Sequence, residues 1–168
     1  MVKNGLYVVM GVAGSGKSVI GAAFAHALDV EFVEGDDFHS ARNIERMSAG
    51  IPLTDDDRAD WLHALAFRLR VSHNADDGVV IACSALKRSY RDVLRGGASE
   101  VRFVFLDGSR ELIAQRLADR GGHFMRPAML ASQFEILEPP AADENAWVCD
   151  IRKSPPEIVA DLVARATR

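Results

Sequence analysis

Short apolar runs alternate with stretches of helical periodicity from one end of the chain to the other. Leu6–Met10 is apolar throughout, the pattern of a strand covered on both faces. After a glycine-rich turn, Val19, Ile20, Ala23, Phe24, Ala27 and Leu28 recur at helical spacing. Glu31–Glu34 reads as a second short strand and Ala41–Ser48 as a helix. Residues 51–57 form a loop carrying Pro52, in which Thr54 is placed to cap the next helix. In that helix Trp61, Leu62, Leu65 and Leu69 make one apolar stripe. Residues 79–83 are a third buried strand, with a basic helix over 86–95 behind it, and residues 101–106 are a fourth. A helix over 109–119 puts Leu112, Ile113 and Leu117 on one face. A Gly-containing interruption over 120–126 and a helix over 127–137, with Pro127 in its first turn, follow. Residues 147–151 are the fifth strand, and Ser154-Pro155-Pro156-Glu157 is a capping-box pattern that opens the last helix, Pro155–Ala166. Such alternation implies an α/β fold, a parallel sheet with helices on both faces.

The 168 residues carry no internal repeat, linker or low-complexity stretch, so one domain over 1–168 is expected. A chain of this length buries about 70% of its unfolded surface and needs no disulfide staple. Cys83 and Cys149, each inside an apolar run and without a His or second Cys at ligand spacing, fit packed thiols in a reducing compartment. The net charge of -4 argues against nucleic acid as a partner. With no run of about 18 apolar residues and no leader pattern, a cytoplasmic protein without a membrane partner is expected.

Gly11-Val12-Ala13-Gly14-Ser15-Gly16-Lys17-Ser18 matches G-x-x-x-x-G-K-[ST] in full and lies between a buried strand and a helix. Its backbone N–H groups and the helix N-terminus suit phosphate oxygens. Lys17 is expected on the β- and γ-phosphates of ATP and the Ser18 hydroxyl on Mg²⁺. A guanine-reading N-K-x-D is absent. Phe103-Val104-Phe105-Leu106-Asp107 has the form of a metal-binding strand end. It is the fourth strand, however, and in small kinases with this loop the third lies beside the phosphate-loop strand. Asp107 is therefore read as a strand-end or helix-cap residue, with Mg²⁺ held by Ser18, ATP and water.

A second set of polar residues is not explained by a core. Gly35-Asp36-Asp37-Phe38-His39 follows the second strand, and Asn43, Met47, Gly50, Pro52-Leu53, Asp55-Asp56-Asp57-Arg58 and Trp61-Leu62 come next. Cys83-Ser84-Ala85-Leu86-Lys87-Arg88-Ser89-Tyr90-Arg91-Asp92 follows the third strand, and Arg116, Arg120, Gly122-His123-Phe124, Gln133-Phe134 and Leu137-Glu138-Pro139 lie further on. Together these resemble the gluconate kinases over nearly the whole chain. Ser40, where a proline is common, and Arg126, where a lysine can stand, are small departures. The resemblance implies a P-loop kinase fold related to shikimate and nucleoside monophosphate kinases, with a five-stranded parallel sheet. It also implies an ATP lid near 116–130, a substrate-binding helical region near 36–74 and often a homodimer. The implied reaction is ATP-dependent phosphorylation of D-gluconate to 6-phosphogluconate, feeding carbohydrate catabolism. The residues alone indicate only a small-molecule kinase.

Within that frame Asp36, favoured over Asp37 by the family pattern, is expected to orient the acceptor hydroxyl and take its proton; the alternative is a helix cap. His39 is a candidate for sugar hydroxyls or for closing the turn. A carboxylate with five hydroxyls calls for a guanidinium fork with amide and hydroxyl groups. Arg58, Lys87 and Arg91 are the candidate cations, although Arg58 follows three acidic residues and could be a solvated ion-pair partner. Asn43 is a candidate for hydroxyls and Ser84 for a contact at the strand end. Arg116 and Arg120 are expected over the transferring phosphoryl group, Arg120 as part of the catalytic set with Lys17 and Asp36; helix-terminus pairing is the alternative. Arg152 and Pro155 are expected at the edge of the adenine.

Overall fold

In the computed structural model, which describes residues 4–120 and 127–168, β1 (Leu6–Met10) lies at the centre of a five-stranded sheet. Its neighbours are β3 (Val79–Ala82) and β4 (Arg102–Asp107); β2 (Glu31–Glu34) and β5 (Trp147–Asp150) form the edges. Every pairing is parallel, with Val8 opposite Ile81 on one side and Phe103 on the other. All residues of β1 and β3 are buried, as their unbroken apolar runs require.

The chain steps outward from β1 to β2 through α1 (Lys17–Leu28), then reverses direction through α2 (Ala41–Ser48) and α3 (Asp55–Ala75) to reach β3. Right-handed crossovers taken in opposite directions put their helices on opposite faces. Accordingly α1 packs with α7 (Pro155–Ala166), and α3 packs with α4 (Arg88–Arg95). The apolar stripe of α3 is the buried one, with Trp61, Leu62, Leu65 and Leu69 in the core. α5 (Arg110–Asp119) and α6 (Pro127–Ile136) complete the fold. Thr54 with Asp57 and Ser154 with Glu157 form the capping boxes that open α3 and α7.

The third strand does lie beside β1. Asp107 is the last residue of β4, its carbonyl accepting from the Ile151 N–H, while Ser109 caps α5. The basic helix starts later than its periodicity indicates, at Arg88 rather than residue 86. Ala85 takes a left-handed φ of 46°, and Lys87 is an extended N-cap, so the chain turns through 85–87 before it coils. Of the lid expected near 116–130, Gly122, His123, Phe124 and Arg126 lie outside the described residues.

Candidate active site

The carboxyl ends of β1, β2 and β3 meet at one rim, where an open α/β sheet places its ligands. The phosphate loop leaves β1 there. Gly16, with φ 101°, sits at the N-cap of α1, a conformation costly for a residue with a Cβ. No side chain caps the helix, so its first amides are left for an anion. Lys17 Nζ donates to the Val12 carbonyl at 3.0 Å, folding back over the loop. Close packing around the ammonium lowers its pKa from the ordinary lysine value, and Asp36, Cys83 and Glu34 oppose that shift. A desolvated cation in the field of two carboxylates is suited to neutralising phosphate oxygens.

A cavity of about 360 Å³ opens beside this loop, lined by Gly14, Ser15 and Gly16, by Arg116 of α5 and Arg120 at its C-cap, and by Arg152 ahead of α7 and Pro155 at its first position. These are among the residues expected around ATP, of which Gly11, Val12, Ala13, Lys17 and Ser18 do not line this cavity, and Val19, Ile20 and Ile158 add an apolar wall. Arg116 donates to the Ile151 carbonyl, and Arg152 is held by the Asp150 carboxylate at 2.6 Å. That bond holds Asp150 down at about 2.

At the end of β2, Gly35 makes a close approach to β3. A Cβ on it would lie 2.2 Å from the Ala82 carbonyl oxygen, so only glycine lets the strands stay level there. The Trp61 indole N–H donates to the Gly35 carbonyl at 2.8 Å. Asp36 is thereby carried to the rim, exposed. Glu34, two residues earlier, accepts a hydrogen bond from the Ser18 hydroxyl. Glu34 does not stand out in the sequence, because it occupies a polar position of an edge strand, where a solvated carboxylate is ordinary. The signal was its spacing from Asp36 across a required glycine. Hydroxyl and carboxylate oxygens are hard donors of the kind that Mg²⁺ takes, so Ser18 and Glu34 fit that ion.

The residues expected around the acceptor divide into two groups. Arg58 and Lys87 converge on Tyr90, with the guanidinium carbon 5.4 Å and the ammonium 5.6 Å from its ring centroid. Lys87 pairs with Asp55 at 3.1 Å, and the Tyr90 hydroxyl also donates to Asp55. Tyr90 and Lys87 lower the Asp55 carboxyl, while burial and the Asp55 bond push the Tyr90 phenol up to about 12. The Arg58 guanidinium donates to Tyr90 Oη at 3.2 Å and to the Leu53 carbonyl. His39, 9% exposed, stacks on Trp61 with ring centroids 4.1 Å apart.

Arg91 and Asn43 are turned inward instead. Arg91 is fully buried, and its guanidinium donates to both oxygens of Glu144 and to the carbonyls of Ala85, Leu86 and Glu138. With all its donors engaged by the protein, it is a structural tie rather than a substrate-binding cation. Asn43 is 4% exposed, and its amide N–H groups go to the Asp57 carbonyl at 2.7 Å and to His39 Nδ1 at 3.3 Å. It supports the site from beneath, not by reaching sugar hydroxyls. Ser84 is half-buried, and its carbonyl accepts from the Gly11 N–H at 3.2 Å, joining the β3 end to the phosphate loop. Gln133, one of the polar residues that stand out in the sequence but carry no expected role, reaches from α6 to accept the Ala13 N–H at 2.7 Å. Burial pushes the Cys83 thiol up to about 12, so it packs rather than reacts.

Comparison with known proteins agrees with this geometry. A family model described as an AAA domain matches residues 6–139. The chain is 49% identical over 139 residues to the thermosensitive gluconokinase of Escherichia coli K12, covering 83% of this chain and 74% of that one. It is 44% identical over 159 residues to the thermoresistant gluconokinase of the same organism, covering 94% and 91%. A solved gluconokinase from Sinorhizobium meliloti 1021 superposes with a TM-score of 0.91 at 46% identity, covering 100% of this chain and 94% of that one. A phosphate loop, a carboxylate rim and likenesses that run almost end to end lead to one conclusion: the chain belongs to the gluconokinase family of P-loop kinases.

Proposed function

We propose that the protein is a gluconokinase that transfers the γ-phosphoryl group of ATP to D-gluconate, giving 6-phosphogluconate for carbohydrate catabolism. The observation that carries this reading is the placement of Asp36 at the end of β2, within electrostatic reach of Lys17 at the mouth of the phosphate loop. Phosphoryl transfer needs little covalent chemistry from a protein, and its catalysis is mostly positioning and charge neutralisation. Lys17 and the amides of residues 11–18 hold the donor phosphates, and Arg116 and Arg120 close the cleft from α5. Arg152 and Pro155 edge the base. Asp36 orients the primary hydroxyl of the acceptor and takes its proton as the bond to phosphorus forms. Arg58 and Lys87, stacked about Tyr90, are the cations for the acceptor carboxylate, and the strand end at Ser84 borders the acceptor.

Ser18 and Glu34 would hold Mg²⁺, which when bound neutralises charge on the β- and γ-phosphate oxygens. A cytoplasmic location accompanies this reading, since ATP is the donor and the two cysteines are buried free thiols. Among the described residues no helix is long and apolar enough to cross a membrane. A homodimer, implied by the family resemblance, completes the proposal.

The experiment is identification of the product by phosphorus–proton correlation. A phosphomonoester on the terminal CH₂ carbon of gluconate is expected. Phosphate on the carboxylate or a secondary carbon, or no organic phosphate at all, would refute the reading.

A further inference from the structure

Asn43 and His39 form a hydrogen bond whose direction is settled by a third group. The Asp57 carbonyl, 2.7 Å from Asn43 Nδ2, can only accept, so the amide nitrogen and not its oxygen must face it. The same nitrogen lies 3.3 Å from His39 Nδ1. An amide nitrogen has no lone pair to offer, so Nδ1 is the acceptor and carries no proton. The proton of the neutral ring is then on Nε2. Among the described residues Nε2 has no protein partner, and it is not sealed from solvent. The ring is clamped by its stack on Trp61, whose indole is itself tied to Gly35 beside Asp36. Burial lowers the His39 pKa, Asp36 opposes and Arg58 adds to the lowering, so the ring lies in the electrostatic field of two groups read as acceptor-binding.

We propose that Asn43 is a positioning residue that locks His39 as the neutral Nε2–H tautomer, so that His39 donates a hydrogen bond to an oxygen of the acceptor. A donor fixed in this way favours an oxygen that accepts, a hydroxyl lone pair or a carboxylate, whereas the Asp36 carboxylate can only accept. His39 and Asp36 would therefore contact the acceptor with opposite hydrogen-bonding polarity. The inference rests on the gluconate reading for the identity of that acceptor, but the tautomer is a property of the free protein.

Long-range proton–nitrogen correlation spectra of the full chain carrying ¹⁵N-histidine test it directly. The chain has five histidines, and His39→Gln identifies the relevant signals by their loss. A protonated Nε2 with a bare Nδ1 is expected at neutral pH; a protonated Nδ1, or an exchanging mixture, overturns the proposal whatever the enzyme's activity. Kinetics supply the second arm. Loss of one oriented donor should raise KM for gluconate about tenfold in Asn43→Ser with KM for ATP unchanged. His39→Gln replaces the clamped ring donor with a freely rotating amide and should likewise raise KM for gluconate about tenfold with KM for ATP unchanged. In the His39→Gln background, Asn43→Ser should have no further effect, because Asn43 acts through the ring. An equal rise in KM in both backgrounds, or a loss of thermal stability with KM unmoved, would make Asn43 merely structural. Absence of any gluconate turnover in the parent protein would instead remove the gluconate reading and leave the tautomer to the spectra.

Discussion

Asp36 is the single residue whose chemistry the proposed reaction needs most. Asp36→Asn keeps the shape of the side chain and removes its capacity to take a proton. The variant should fold with an unchanged thermal midpoint and lose about 10²–10⁴ in kcat, measured by steady-state ADP release. Full retention of kcat would reduce Asp36 to a turn residue. Lys17 and Ser18 were marked in the sequence by the spacing of the phosphate loop, and Asp36 by its place after the second strand together with the family resemblance. Arg91 was not legible. It lies four residues after Lys87 on a basic helix, and that spacing cannot tell a cation over the cleft from one beneath the helix. Its partner Glu144 lies 53 residues away, in a segment with no periodicity to mark it as buried. Asn43 misled in the same way, being a polar residue in a polar helix whose amide faces inward to the Asp57 carbonyl.

At the scale of elements, the Arg91–Glu144 pair ties the turn between β3 and α4 to the segment after α6. Both side chains are buried, at 0% and 1% exposure, and Arg95 joins Glu144 at 2.7 Å. The Glu138 N–H also donates to the Leu86 carbonyl at 2.8 Å, so the two segments are joined twice. This junction explains why the helix begins at Arg88: the carbonyls of Ala85 and Leu86 are turned to Arg91 instead of continuing a helical ladder. Arg91→Met would strip two of the four hydrogen bonds from the buried Glu144 carboxylate and take the guanidinium away from the Ala85 and Glu138 carbonyls, and should lower unfolding stability by about 3–5 kcal/mol in urea titrations. A change under 1 kcal/mol, about the size of an exposed pair, would contradict the burial argument. Burial alone would raise the Glu144 pKa, yet the bonds from Arg91, Arg95 and the Ala141 N–H hold it at about 2, against an ordinary 4.5. A depressed carboxyl stabilises the fold above its unfolded value and loses that contribution as pH falls through its folded value. Stability should therefore fall between about pH 4.5 and 2, and less steeply in Glu144→Gln. The strands themselves were plain in the sequence, since a short unbroken apolar run bounded by turn residues is the mark of a buried strand. What remained hidden was the turn at 85–87, whose shape is set by residues far away.

For the molecule as a whole, alternating strands and helices announced a parallel sheet wrapped on both faces, and the strand order β2-β3-β1-β4-β5 accords with it. That order brings Ser18, Glu34, Asp36 and Ser84 to one rim from separate stretches of chain. The cavity beside the phosphate loop and the Arg58–Tyr90–Lys87 cluster have no lining residue in common, and in the proposed reaction they serve donor and acceptor respectively. Chelation of Mg²⁺ should abolish turnover without unfolding the chain, because the sheet and its core contain no metal-binding group among the described residues. Loss of the fold on chelation, followed by circular dichroism, would contradict that separation of site from scaffold. The most direct measurement is ADP release by the purified protein with Mg²⁺-ATP, comparing D-gluconate, shikimate, ribose, AMP and no acceptor. Rapid turnover with gluconate alone is the predicted result; turnover that ignores gluconate, or prefers another acceptor, would contradict the account.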